Sequence, residues 1–134
     1  MKIIHTKVAT FSFDASERLL YMKIHAGAEI ELENAIENYD TAQLLVGGIK
    51  HLLLVDGRAD VYLSKEAKIY SAQKKHNSPI AMAVIVSSTA NRLLGNIYIN
   101  FNKPEVPTKL FSTEEKAIEW LKEYYYLTEP TPMV

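Results

Sequence analysis

Cysteine is absent from the chain, which removes disulfides, thiolate-bound metals and a cysteine nucleophile together. An excess of charge of either sign is also missing. Fifteen Lys and Arg stand against 16 Asp and Glu, for a formal net charge of -1. That balance gives no broad electropositive face, so nucleic acid is not an expected partner. No apolar run approaches the ~18 residues of a membrane helix. The opening "MKIIHTKVATFSFD", interrupted by His5, Thr6 and Lys7, is too short and too polar for a signal-peptide core. The expectation is a cytoplasmic protein that is not membrane-embedded. The histidines, His5, His25, His51 and His76, never fall at HxH or HxxxH spacing, which disfavours zinc unless distant side chains converge. No metal and no cofactor are expected.

What is present suits one globular domain. The 134 residues can bury a core without staples, and 48% hydrophobic with 23% charged content is too apolar for disorder. Two apolar runs, "KVATFSFDA" and "LLYMKIHAG", are joined by a polar stretch over 14–18, which predicts a β-hairpin. In "IELENAIENYDTAQLLVGG" the period changes. Leu32, Ala35, Ile36, Tyr39 and Ala42 fall at helical spacing, while Glu31, Glu33, Glu37 and Asn38 take the other side. Gly47-Gly48 closes that helix, and "IKHLLLVDG" follows as a strand.

"SKEAKIYSAQKKHN" predicts a second helix, with Ser64 as N-cap and Lys74, Lys75 and His76 in its last turn. "IAMAVIVSS" is apolar without alternation, as expected of a strand covered on both faces. "STANRLLGNIYINFN" predicts a third helix and "EVPTKLF" a last strand. In "STEEKAIEWLKEYYY", Ser112 and Glu115 have capping-box spacing, and Ala117, Ile118, Leu121 and Tyr125 form the inward stripe of a fourth helix. "LTEPTPMV" is read as a mobile tail. The fold class is thus α/β: an N-terminal hairpin, then alternating β-α units in a mixed, mostly parallel sheet packed with about four helices. Residues 1–126 form the domain and 127–134 the tail.

This order, together with "SSTANRLLGNIYINFNKPEVPTKLFSTEEKAIEWLKEY", resembles the STAS-like domains of anti-sigma-factor antagonists and sulfate-transporter tails. Among them it is most similar to the small stand-alone bacterial proteins labelled STAS/SEC14-like. The likeness runs over roughly 8–126. It implies a regulatory module that binds protein partners, with a homodimer as one of its states. It also implies a switch serine, phosphorylated by a partner kinase, at the start of the helix after the Asp-ending strand. Ser64 would inherit that role. The family's Asp-Ser-small motif is missing, however, because Ser64 lies between Leu63 and Lys65.

The residues that end strands are the other candidates. Ligands of open α/β sheets gather beyond the carboxyl ends of the strands. There Asp56, Gly57 and Arg58 end one strand, and Ser87, Ser88 and Thr89 end the next. A phosphoryl-receiver site would also need an acidic pair after the first strand and a lysine after the last. Lys109 sits at the wrong end, so Asp56-Gly57 reads first as a turn with Arg58 paired to an acid. Ser87 and Ser88 read first as helix-capping hydroxyls, and second as an anion site at a helix N-terminus. A Ser-His-Asp triad lacks its histidine, because His51 begins its strand.

Asp60, Val61, Tyr62 and Tyr70 are candidates for lining a pocket. Met22, Tyr39, Tyr62, Met82 and Tyr98 are candidates for an apolar cavity, with ordinary core packing the plainer reading. Lys65, Lys68, Lys74 and Lys75 make the second helix basic, a solvated face or a docking surface for an acidic partner. Tyr124, Tyr125 and Tyr126 cover the sheet end or join a dimer contact.

The expected function is therefore a non-enzymatic regulatory or protein-interaction module without a phospho-switch motif, docking through 56–64 and the second helix. The alternative is a protein that binds a small apolar ligand or lipid near the 56–64 loop. An enzyme using Asp56 and Ser87 is the weakest reading.

Overall fold

The computed structural model of the chain describes residues 2–59, 61–88, 95 and 103–129. The expected hairpin forms from β2 (Ala9–Asp14) and β3 (Leu19–Ile24), paired antiparallel from Ala9↔Ile24 to Asp14↔Leu19. Asp14 Oδ1 holds the turn, accepting from Ser16 N, Ser16 Oγ and Glu17 N. An unforeseen strand, β1 (Ile3–His5), adds antiparallel to β2. From β3 onward the main sheet is parallel. β5 (Leu52–Asp56), β7 (Met82–Ile85) and β8 (Thr108–Phe111) follow in the order β1-β2-β3-β5-β7-β8. Two short strands, β4 (Ala28–Ile30) and β6 (Val61–Leu63), pair parallel in a separate small sheet.

Side-chain alternation divides the core into two layers. Leu53 and Val55 of β5, with Met82 and Val84 of β7, face the layer beneath α1 (Leu32–Val46) and α2 (Lys65–Ala72). Leu52, Leu54, Ala83 and Ile85 face the other, beneath α3 (Glu114–Lys122). Because both faces are covered, β5 and β7 read as unbroken apolar runs. Ala83 and Ala117 are both fully buried in the second layer, so no side chain longer than a methyl stands at either position.

Four expectations need correction. The described residues hold three α-helices rather than four, and the helix expected over 88–102 lies almost wholly outside them. The inward stripe of α1 is rotated from the expected one. Asn38 is buried, whereas Leu32 and Ile36 are exposed. Thr6 Oγ1 donates to Asn38 Oδ1 at 3.0 Å, and a satisfied amide can be buried at little cost. Third, α2 ends at Ala72, so Lys74, Lys75 and His76 lie beyond it. The segment before β8 takes over its exit, with Glu105 N donating to Ala72 O and Glu105 Oε2 accepting from Lys74 N. Fourth, Thr113 rather than Ser112 caps α3, its Oγ1 accepting from Lys116 N at 3.2 Å. At the C-terminal end, a 3-10 turn spans Tyr125–Thr128, and the Thr128 hydroxyl donates to Tyr125 O.

Candidate functional site

At the carboxyl ends of β5 and β7 the structure brings Asp56, Gly57, Arg58 and Ser87 together. Arg58 wraps back onto Asp56: its Nε and backbone N donate to Oδ1 at 3.0 and 3.1 Å, and its Nη2 to Oδ2 at 2.8 Å. The side-chain hydrogen bond from Arg58 is the main cause that holds the Asp56 carboxyl below its usual range. Gly57 N donates to Ile85 O at 2.9 Å. A Cβ on Gly57 would stand 3.3 Å from that same carbonyl, a close approach that suits glycine. Ser87 Oγ donates to Arg58 O at 2.9 Å, so its proton goes to a backbone carbonyl and not to Asp56. The carboxylate is ionised, paired and turned onto its own loop. Such a group shapes a turn, as the plainer reading of the sequence has it. Ser88 is exposed beside Ser87. Thr89 and Asp60 lie outside the described residues.

Ser64 belongs to a different place. It follows β6 and is only 4% exposed. Its N donates to Ile30 O, tying α2 to the end of β4, and its Oγ accepts from Ala67 N at 3.1 Å. Its hydroxyl oxygen is therefore the N-cap of α2. Large hydrophobic side chains are exposed on the same elements: Tyr62 at 56% and Ile69 at 43%, with Leu32 and Ile36 on α1. Lys65 and Lys68 are exposed on the same short helix.

A half-open cavity lies toward the other end of the sheet. It sits between α1, α2 and the sheet with a volume of about 170 Å³, bounded by Phe11, Met22, Leu53 and Met82 and opening toward the starts of β5, β7 and β8. Of the apolar-cavity candidates Met22, Tyr39 and Met82 line it, and of the other pocket candidates Tyr70 does. Tyr62 does not, and Tyr98 lies outside the described residues. A second cavity, of about 240 Å³, is bounded by Leu19, Tyr21, Ile118 and Tyr125 on the α3 face. Neither is lined by a described residue of 56–64, the expected place for a ligand.

Two lining residues were missed by sequence reasoning. His51 is 1% exposed, and its Nδ1 bonds Ile49 O at 2.9 Å. Burial depresses its pKa below the usual histidine value, opposed by the Ile49 hydrogen bond. Lys75 is partly buried and lies over the Tyr70 ring at 4.0 Å and the Tyr39 ring at 5.7 Å. Its ammonium donates to the carbonyls of Tyr70 and Gln73, and burial lowers its pKa while Glu105 opposes. The signal for Lys75 was the Ser78-Pro79 pair, which argues against helix just upstream; nothing local marks His51.

The buried histidine gives a pH signature. The unfolded chain takes up a proton near pH 6.5, whereas folded His51 resists it, so stability declines as pH falls below that value. The slope for one such site reaches ~1.4 kcal/mol per pH unit until the depressed folded pKa is passed. Urea unfolding at pH 7.5, 6.5 and 5.5 should show the decline, and His51→Gln should flatten it. An equal decline in the variant assigns the effect to other groups.

His5 Nδ1 and His25 Nε2 meet on the Thr10 hydroxyl at 2.9 and 2.8 Å. No group of three or more His, Asp or Glu side chains among the described residues is placed to hold a metal, and no helix among them is long and apolar enough to cross a membrane.

The comparisons fit this architecture. A crystal structure of an uncharacterised protein of the DUF3478 family from Shewanella loihica, with a SpoIIAA-like fold, superposes with a TM-score of 0.56 at 16% identity, covering 90% of each chain. At that identity the likeness establishes the fold alone, an α/β arrangement of SpoIIAA-like type. No curated protein matches the sequence. A family model, the domain of unknown function DUF7793, matches residues 13–125, from the end of β2 to the turn after α3. The chain belongs to the DUF7793 family.

Proposed function

We propose that this domain is a non-enzymatic protein-interaction module of regulatory type that docks through β6 and the exposed face of α2. One contrast carries the reading: Asp56, Arg58 and Ser64 are engaged within the local structure, while apolar side chains beside them are left in water. Asp56 is closed by Arg58, and Ser64 is buried as a cap. Tyr62 and Ile69 are exposed, and aromatic anchors of this kind dominate protein interfaces. The proposed contact residues are Tyr62, Lys65 and Ile69, in place of the Asp56 and Ser64 expected from sequence.

A benzophenone photo-crosslinker placed at position 62 or 69 in the native cell tests this, with position 16 on the hairpin turn as control. One shared partner captured from 62 and 69 but not from 16 is expected. A second copy of the chain captured in this way would make the partner a homodimer mate. Equal capture from all three positions, or none from 62 and 69, overturns the reading.

A further inference from the structure

The cavity between α1, α2 and the sheet has a one-sided wall chemistry. Its interior is apolar, with Phe11, Leu20, Met22, Leu53, Val55 and Met82 among its walls, and among the described residues no Asp or Glu lines it. One full charge does, the Lys75 ammonium. Among the described residues the ion pair present is Asp56–Arg58, so Lys75 has no carboxylate within ion-pair distance. Glu105, the acid that acts on it, is engaged by Lys74 N at 2.7 Å. Carbonyls and two tyrosine rings hold the ammonium instead, which fixes its place without neutralising it.

A second observation points the same way. With Nδ1 of the buried His51 bonded to Ile49 O, Nε2 has no hydrogen-bond partner among the described residues, and the ring lines the cavity. A neutral imidazole whose Nδ1 carries the proton presents Nε2 as an acceptor. The wall thus offers one cation and one acceptor around an apolar space of about 170 Å³, close to the ~150 Å³ that admits a single benzene ring.

We propose that this cavity binds a small aromatic monocarboxylic acid: one ring in the apolar interior, its carboxylate on Lys75, and a hydroxyl or N–H donor on the ring for His51. A single lysine matches a carboxylate better than a dianionic phosphate. Two methionines in the wall give the adaptability that a ring of varied substitution needs. The site is distinct from the docking face at β6 and α2, because none of Tyr62, Lys65 and Ile69 lines it. It therefore stands or falls independently of that face.

The test is titration of the ¹⁵N-labelled domain with 4-hydroxyphenylacetate, followed through the backbone amides of Ala42, Tyr70, Ala72 and Met82. Saturable shifts at these amides are expected. The cationic analogue 4-hydroxybenzylamine should bind at least about tenfold more weakly, since a charge-assisted hydrogen bond is worth a factor of that order. Lys75→Met, which keeps the apolar stem, should weaken the acid by a similar factor. Absence of shifts at those amides at millimolar acid overturns the proposal. So does equal binding of acid and amine, a comparison that needs no variant, or undiminished binding by a folded Lys75→Met protein.

Discussion

Phe11→Ala should lower the stability of the domain by about 3–5 kcal/mol. Phe11 is 1% exposed in β2, opposite Met22 of β3, and it belongs to the layer beneath α1 and α2. Removing a buried ring loses its transfer free energy, and a void is added wherever the surroundings do not close in. They are badly placed to close here, because Phe11 already borders the cavity. The truncated site would merge with that space, so the upper part of the range is expected. Domains of this kind are stable by only about 5–15 kcal/mol, and the variant should sit near the edge of folding. Urea denaturation should show a much lower midpoint with little change in slope. A loss below about 1 kcal/mol would mean that the cavity closes in solution and that Phe11 is not the wall it is described as.

Ser64→Ala comes next in size, at about 1–2 kcal/mol. The hydroxyl oxygen accepts from Ala67 N in a buried setting, so its removal deletes a helix cap and leaves an amide N–H without a partner. α2 runs only from Lys65 to Ala72, and a helix so short has little intrinsic stability to spare. The loss should therefore be local as well as global. Amide exchange at Ala67 and Lys68 should quicken more than exchange in β5. The same geometry opposes phosphorylation of Ser64, since a kinase cannot reach a 4% exposed hydroxyl without first opening the start of α2. An unchanged midpoint in Ser64→Ala would mean that the hydroxyl does not cap α2.

The fold was legible where burial on two faces dictates composition. Leu52 to Val55 and the run from Ala81 to Ile85 could be read as strands because every side chain there meets a layer. Ser64 was readable as a cap because an Ncap hydroxyl before a helical period is a local signal. What could not be read depends on groups far apart in sequence. The rotation of α1 follows from Asn38 bonding Thr6, 32 residues away. The early end of α2 follows from Glu105 meeting Lys74, across 31 residues. β1 is three residues long, too short for its alternation to register.

The candidate site divides in the same way. The Asp56–Arg58 closure spans two residues and was anticipated as a turn with a paired acid. The charge and the acceptor in the cavity wall were not, because a lysine past a helix end and a histidine before a strand converge only through the sheet. Met22, Tyr39 and Met82 were named as cavity candidates beside the plainer reading of core packing, but Tyr62 and Lys75 exchanged roles between surface and interior.

The most direct test of the docking account is the affinity of the partner captured at position 62, measured by calorimetry against purified variants. Tyr62→Ala and Ile69→Glu should each weaken binding by roughly tenfold or more, as expected for central interface anchors. Asp56→Asn, which opens the Arg58 pair without touching β6 or α2, should bind within about twofold of the parent. The reverse pattern, with binding lost in Asp56→Asn and kept in Tyr62→Ala and Ile69→Glu, would contradict the account.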